Sequence, residues 1–503
     1  MYLRAGVFSL GLLLFSRVLG LARESAQAAA FGVSGMGDVV IVMFTLPDLL
    51  VGVLISGALS YVLLPAWARQ RESGQIPAHK KLTTNLVLGA LAIAVVLWVC
   101  RSSVVQALAP GLEGDLLALS NASIGWSAAV LPLAALAALW ATQLQHECDF
   151  VGMYVGNVLV NLILVAGLIF VGHTVWSGGL KAADIVGVLG FSLLAAMVLR
   201  LVWLAWRLQK ARSGQVFVIP DLAAAVSPTG ASVWLWAALA SSLMLLLPVV
   251  ARSVVSHSGE GALTSFNYAW KLVELPLVLA LQLVASLAFP ALAATAAQSI
   301  ERLQALQVAF ALAWALACAA AAVVATFSLP LATALFGWGS MTPASLQIIA
   351  KWSAIGVWSL LPQALIAVLL TLMAITMRMK IAVPVYGFAL AGVLLAGWAG
   401  VVQGADVMWI INAALGAVAV VLLVTERRDM ALALPLVGAL VPLAACLMLA
   451  GLKPLWADVT VSVALVIAAA YGLTVLASGL AASPALRHLV QLKLRKSRHN
   501  KHV

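Results

Sequence analysis

Apolar residues run through this chain in continuous stretches of about 20 residues, the length an α-helix needs to cross a hydrocarbon core. Polar residues, glycines and prolines punctuate the stretches. They predict helices over 5–30, 36–66, 83–107, 117–143, 150–173, 182–207, 229–255, 262–296, 303–327, 343–374, 380–401, 405–424, 431–451 and 458–482. Polarity does not alternate residue by residue, which sets aside a membrane β-barrel. The pattern predicts an all-α polytopic membrane protein with about fourteen transmembrane helices. Charges and prolines interrupt the first, second and eighth stretches. The apolar start, Met1 to Leu21, carries no small-residue cleavage site before a soluble domain, so it reads as the first helix of the fold.

Composition narrows the class further. Of 503 residues, 64% are hydrophobic and 9% charged, where a soluble domain carries about 25% charged residues. The net charge of +11 follows topology. With the N-terminus in the cytoplasm, nineteen of the 28 Lys and Arg residues fall in cytoplasmic segments. Arg101, Lys181, Arg252 and Lys453 fall outside, and Arg17, Arg23, Arg200, Lys271 and Lys351 lie within helices. This bias fits the positive-inside rule with both termini cytoplasmic and favours an even number of helices. The tail from Arg487 to His502 is expected against anionic headgroups, and no nucleic-acid partner is implied. The seventeen tryptophans read mostly as interfacial anchors. Cys100, Cys148, Cys318 and Cys446 are scattered, without CxxC or metal spacing, and read as buried, lipid-facing or loop thiols.

A weak internal repeat links the second and eighth helices. Met43-Phe44-Thr45-Leu46-Pro47-Asp48-Leu49 resembles Ala269-Trp270-Lys271-Leu272-Val273-Glu274-Leu275 at an offset of 226 residues. Gly32-Val33-Ser34-Gly35 precedes the first copy and Ser258-Gly259-Glu260-Gly261 the second. Both copies later reach a Pro-Ala pattern, at Pro65-Ala66 and Pro290-Ala291. The offset implies two six-helix lobes in the same orientation, an arrangement common in transporters that rock about a central cavity. The expected division is 1–215 for helices 1–6, 216–428 for helices 7–12, 429–485 for helices 13–14 and 486–503 for the basic tail.

No HExxH, GxSxG, GxxxxGK or paired acid motif is present, so no enzyme is expected, and no catalytic residue, metal ligand or cofactor is nominated. The informative side chains are charges inside helices, which by default mark a substrate or ion path. The first helix carries Ser16, Arg17, Arg23 and Glu24, with Gly20 between the arginines permitting a bend. The second carries Asp38 and Asp48, and the eighth carries Lys271 and Glu274. Arg17 lies thirteen residues beyond Arg4, roughly 20 Å along a helix and too deep to snorkel back. Mutual neutralisation is the plainer reading, with Arg17 and Glu24 seven apart and Lys271 and Glu274 three apart. Against it, these charges concentrate in helices with hinges and prolines. A cationic cavity attracts an anionic substrate, and the planar arginine fork suits phosphate. Arg200, read as near a helix end, is explained by snorkelling, while Lys351 is a weaker cavity candidate.

The ordered residues of the first two helices are recognisable. Ser16-Arg17-Val18-Leu19-Gly20-Leu21-Ala22-Arg23-Glu24 is followed by Ala29-Ala30-Phe31-Gly32, Asp38, Leu46-Pro47-Asp48-Leu49-Leu50 and Gly57-Ala58-Leu59-Ser60 with Pro65. This resembles the MurJ (MviN) family of lipid II flippases, within the larger group of multidrug and oligosaccharidyl-lipid exporters. The resemblance is strongest over roughly the first 70 residues and looser at Tyr268 to Pro290 and Met377-Arg378-Met379-Lys380. It implies a V-shaped pair of lobes, with the last two helices forming a groove for a polyprenyl tail. It implies substrate binding by Arg17, Arg23, Lys271, Ser16 and Asp38, and gating or ion pairing by Glu24, Asp48 and Glu274. Gly20, Gly32 and Gly35 would be hinges.

The implied activity is movement of undecaprenyl-diphosphate-linked peptidoglycan precursor from the cytoplasmic to the periplasmic leaflet of the bacterial inner membrane. The substrate would enter laterally between the first and eighth helices. Its partners would be that lipid-linked saccharide, membrane lipids and cell-wall synthesis enzymes. The chain departs from the family at Val51 and Gly52, where basic residues are usual, and at Ser56, where an acid is usual. The seventh and eleventh helices lack the acidic and amide residues of a sodium site. A flippase for another polyprenyl-linked oligosaccharide is therefore the alternative. A cation-coupled drug exporter, which would need acidic cavity charges, and a scaffold for cell-wall enzymes rank below it.

Overall fold

A computed structural model describes residues 2–54, 59, 79–147, 149–213, 231–276, 300–375, 378–427, 436–456 and 459–488. Each of the fourteen predicted stretches is helical over its described part, and no strand occurs among the described residues. The helices are α1 (Tyr2–Phe31), α2 (Gly35–Val53), α3 (His79–Val99), α4 (Arg101–Leu108), α5 (Gly114–His146), α6 (Phe150–Trp176), α7 (Ala182–Ser213) and α8 (Ala231–Ser256). They continue with α9 (262–276), α10 (Ile300–Phe336), α11 (Pro343–Gly356), α12 (Leu360–Ile375), α13 (Ala382–Trp398), α14 (Gly404–Thr425), α15 (Leu436–Gly451) and α16 (Val461–Ala482). Among the described residues, nine helical segments are long and apolar enough to span a bilayer, with shorter apolar helices beside them. Ser56, Pro65, Cys148, Met377, Pro290 and most of the basic tail lie outside the described residues.

Three predicted helices differ in detail, each for a local reason. The third breaks at Cys100, where the apolar run meets Arg101-Ser102-Ser103 and the short polar α4 begins. The tenth is α11 and α12 joined by a 3₁₀ turn, Val357–Ser359. Pro362 has no N–H for the carbonyl of Trp358, so the α-helical ladder cannot run through. The ninth continues past its predicted end through a kink at Phe327, three residues before Pro330. It reaches Phe336 instead of stopping at 327.

The chain divides into two compact units. Unit 1 comprises Met1–Thr264 with Phe336–Thr342, and unit 2 comprises Ser265–Leu335 with Pro343–Val503. In unit 1, α1 packs on α6, α6 on α7, α2 on α5, and α5 on both α3 and α7. α8, expected to open the second lobe, packs against α2 within unit 1. Alanines make the centre of α5 thin: Ala134, Ala135, Ala137, Ala138 and Ala141 are fully buried. Small residues let helix backbones approach in a bilayer, where dispersion and hydrogen bonds hold helices together. Met43 and Phe44 of α2, Val130 of α5, Leu164 of α6 and Leu189 of α7 close the core.

Proline and serine cooperate in this packing. Pro47 sits inside α2 and has no N–H for the carbonyl of Met43. Ser127 Oγ of α5 donates to that carbonyl at 2.5 Å, and Ser127 is fully buried. The bilayer offers no water for a stranded carbonyl, so the hydroxyl supplies the bond that proline removed. In unit 2, α13 packs on α14, α15 on α16, and α14 on α11 and α12. Trp314 Nε1 of α10 donates to the carbonyl of Ala439 at 2.9 Å, and Trp456 Nε1 donates to Tyr471 Oη at 2.7 Å.

Candidate functional site

Two features of unit 1 carry predicted residues. The first is a latch at the start of α2. Gly32 takes φ +59°, a left-handed conformation that glycine adopts without strain. Ser34 then caps α2, its Oγ accepting from the N–H of Gly37 at 3.2 Å. Asp38 follows in the first turn and is only 1% exposed. Its Oδ2 accepts from the Gly261 N–H at 2.8 Å. Its Oδ1 accepts from the Thr264 N–H at 2.7 Å and from Thr264 Oγ1 at 2.5 Å. The acid thus satisfies orphan donors at the start of α9, the part played by an N-terminal cap. Glu260 answers in the other direction, its Oε1 accepting from the Gly35 N–H at 2.9 Å.

Glycine is required at this contact and beside it. A Cβ on Gly37 would lie 2.8 Å from Thr264 Oγ1, and one on Gly32 would lie 2.5 Å from the carbonyl oxygen of Ser340. Asp38 and Thr264 are 226 residues apart, which is the repeat offset. The repeat-related segments therefore meet each other. Sequence reasoning nominated Asp38 for substrate and missed Thr264 and Gly37; adding the offset to Asp38 would have found Thr264.

The second feature is an ion cluster. Arg23 Nη2 bridges Glu24 Oε1 at 2.9 Å and Asp48 Oδ2 of α2 at 3.0 Å. The Arg23 guanidinium also lies over the Phe44 ring, 5.6 Å from its centroid. The Glu24 side chain is 7% exposed and that of Asp48 56%. Glu24 thus pairs with its neighbour Arg23. Asp48 approaches the same guanidinium from α2. Arg17 is exposed, while Ser16 beside it is buried. α1 runs as a helix through Gly20, where a Cβ would meet nothing within 4 Å. Val51 and Gly52 stand where basic residues are usual in the resembled family. A Cβ on Gly52 would lie 3.0 Å from Leu245 of α8, so helix packing claims that position.

In unit 2, Lys271 Nζ lies 2.8 Å from Glu274 Oε2 on α9, both side chains partly exposed. Phe266 and Trp270 stack on the same helix with centroids 6.4 Å apart. Lys351 is exposed on α11. Arg378 Nη1 pairs with the buried Glu426 at 2.8 Å, tying the end of α12 to the end of α14.

Arg200 departs from its predicted snorkelling. α7 continues to Ser213, so Arg200 lies well inside it, and the residue is 2% exposed. Arg207, two turns on, grips Asp149 through Nε at 2.8 Å and Nη2 at 2.6 Å. The sequence hides this pair because the partners stand 58 residues apart. No group of side chains able to hold a metal occurs among the described residues.

Residues 27–465 match the family model described as lipid II flippase MurJ. The lipid II flippase MurJ of Burkholderia cenocepacia is 28% identical over 353 residues, covering 68% of this chain and 67% of that one. A probable lipid II flippase MurJ of Rhizobium meliloti is 28% identical over 360 residues, covering 69% of this chain and 65% of that one. The chain thus aligns with about two thirds of the length of these relatives. Among solved structures, a lipid II flippase MurJ in an inward closed conformation superposes with a TM-score of 0.72 at 15% identity, covering 93% of this chain and 98% of that one. An inward-facing multidrug MATE transporter superposes at 0.61 and 16% identity, covering 82% and 95%. At such identities the structural likeness speaks for the fold. The sequence match across most of the chain goes further, and on it this multi-pass membrane protein belongs to the lipid II flippase MurJ family.

Proposed function

We propose that the chain carries lipid II, the undecaprenyl-diphosphate-linked peptidoglycan precursor, from the cytoplasmic to the periplasmic leaflet by alternating access. The observation that carries this reading is the arginine cluster of unit 1. Arg17 and Arg23 lie in an apolar helix, and Arg23 is held by Glu24 and Asp48 rather than drawn to either end. Such charges are costly in hydrocarbon and mark a substrate path. Arg17, Arg23 and Lys271 neutralise the diphosphate, and Ser16 contacts the headgroup. Glu24, Asp48 and Glu274 hold the cations in place until the substrate's phosphates displace them. Asp38 works as a gate through its hold on Gly261 and Thr264, and Gly20, Gly32 and Gly35 give the movement its freedom. An inside-negative potential favours outward movement of the anion. Both termini face the cytoplasm, as the distribution of Lys and Arg supports.

Val51 and Gly52 favour a second reading, transport of another polyprenyl-linked oligosaccharide, because the basic residues usual there are absent. One experiment separates the two. A bacterium depleted of its lipid II flippase receives the wild-type chain or Arg17→Ala, Arg23→Ala and Lys271→Ala variants at matched membrane levels. Rescue by wild type and failure of the variants supports lipid II. Failure of a well-expressed wild type overturns lipid II and leaves the second reading.

A further inference from the structure

Arg200 is the most anomalous side chain of unit 1. It is 2% exposed, yet its Nε and Nη2 find no hydrogen-bond partner among the described residues. These two nitrogens form one edge of the guanidinium, with two donors pointing the same way, matched to a pair of oxyanion oxygens. A buried cation with an empty donor edge is unfavourable unless a partner arrives.

The neighbouring turns of the same helix pair show what that edge is built to hold. α6 and α7 pack closely, and three contacts fix their antiparallel register. Arg207 meets Asp149, Trp203 Nε1 donates to the carbonyl of Gly152, and Arg200 Cγ faces Gly156. Arg200 precedes Arg207 by seven residues, and Gly156 follows Asp149 by seven. The two arginines therefore occupy equivalent places along the seam. Arg207 closes its Nε/Nη2 edge on the carboxylate of Asp149. At the equivalent place, Arg200 meets a glycine with no side chain to offer.

We infer that Arg200 is an oxyanion-binding residue, its Nε/Nη2 edge taking two oxygens of a phosphate of the transported lipid beside Gly156. This rests on the reading of the chain as a carrier of a lipid-linked diphosphate. Sequence alone assigned Arg200 to snorkelling, and its depth in α7 removes that explanation.

The test uses the full chain in phosphatidylcholine nanodiscs. Lipid II, phosphatidylglycerol and inorganic phosphate are titrated separately onto wild type, Arg200→Gln, Arg200→Lys and Gly156→Asp. A Cβ at 156 would make only ordinary contacts with Arg200 and Leu204, at 3.5 Å and beyond. Gly156→Asp places a carboxylate where Asp149 stands for Arg207. Arg200→Gln and Gly156→Asp should each weaken lipid II binding about tenfold or more, the loss of a charge-assisted bidentate pair. Arg200→Lys, with point donors, should fall between them and wild type. Gly156→Asp should also melt at a higher temperature, which excludes misfolding as the cause. Unchanged lipid II affinity in Gly156→Asp and Arg200→Gln overturns the inference while leaving lipid II transport intact. Loss confined to phosphatidylglycerol or phosphate overturns it as well. A wild type that binds no lipid II sinks the transport reading itself.

Discussion

Replacing Asp38 with alanine removes the acceptor for three donors at once: the N–H groups of Gly261 and Thr264 and the Thr264 hydroxyl. A hydrogen bond to a charged group contributes about 1.5–3 kcal/mol net. The three share one carboxylate whose burial is itself costly, so their contributions do not add. Each buried donor left without an acceptor costs about 1–3 kcal/mol. At about 1.4 kcal/mol per tenfold change, the segment should open a hundredfold more often, or beyond. Amide hydrogen exchange followed by mass spectrometry reads this directly in peptides covering 32–38 and 258–266. Opening free energy sets protection there. Asp38→Asn keeps Oδ1 for Thr264 and turns an amide N–H toward the Gly261 N–H, so its loss should be smaller and centred on Gly261. If Asp38→Ala exchanges within about threefold of wild type in both peptides, the latch contributes little to local stability and the argument is wrong.

Three further substitutions test the packing of unit 1. Gly32→Ala forces a side chain into φ +59° and toward the Ser340 carbonyl oxygen; a loss of about 2–4 kcal/mol in thermal or denaturant unfolding is expected. Arg207→Ala and Asp149→Asn should each destabilise the α6–α7 seam. Their double-mutant cycle should return a coupling of about 1–3 kcal/mol, and additive effects would deny the bidentate pair any energetic role.

The helices were legible because a spanning segment writes itself as an unbroken apolar run, and α5 and α6 follow their predicted stretches closely. Legibility failed where a local event interrupts a run without changing its hydrophobicity. Pro362 breaks the tenth helix into α11 and α12 through a carbonyl it cannot bond, within a run that stays largely apolar on both sides. The charges were visible as residues, and their partners were not. Arg23 and Glu24 are adjacent in sequence, but Asp48 arrives from another helix, and Asp149 reaches Arg207 from across the α6–α7 seam. Arg200 was misread because the apolar pattern ends near 207, whereas the helix runs on to Ser213. The Asp38–Thr264 contact was latent in the repeat, since the two residues stand apart by the repeat offset of 226.

That meeting of equivalent positions bears on why the two copies share one polypeptide. In an assembly of two identical halves, each residue on the axis would confront itself. Two aspartates would repel and leave the helix-start amides competing for acceptors; two threonines would supply no formal charge to quiet those amides. The observed solution gives the acceptor to one copy at Asp38 and the donors to the other at Thr264. Such a division of labour is open only to halves free to diverge separately. A symmetric homodimer of either half would lack the complementary partner at this point.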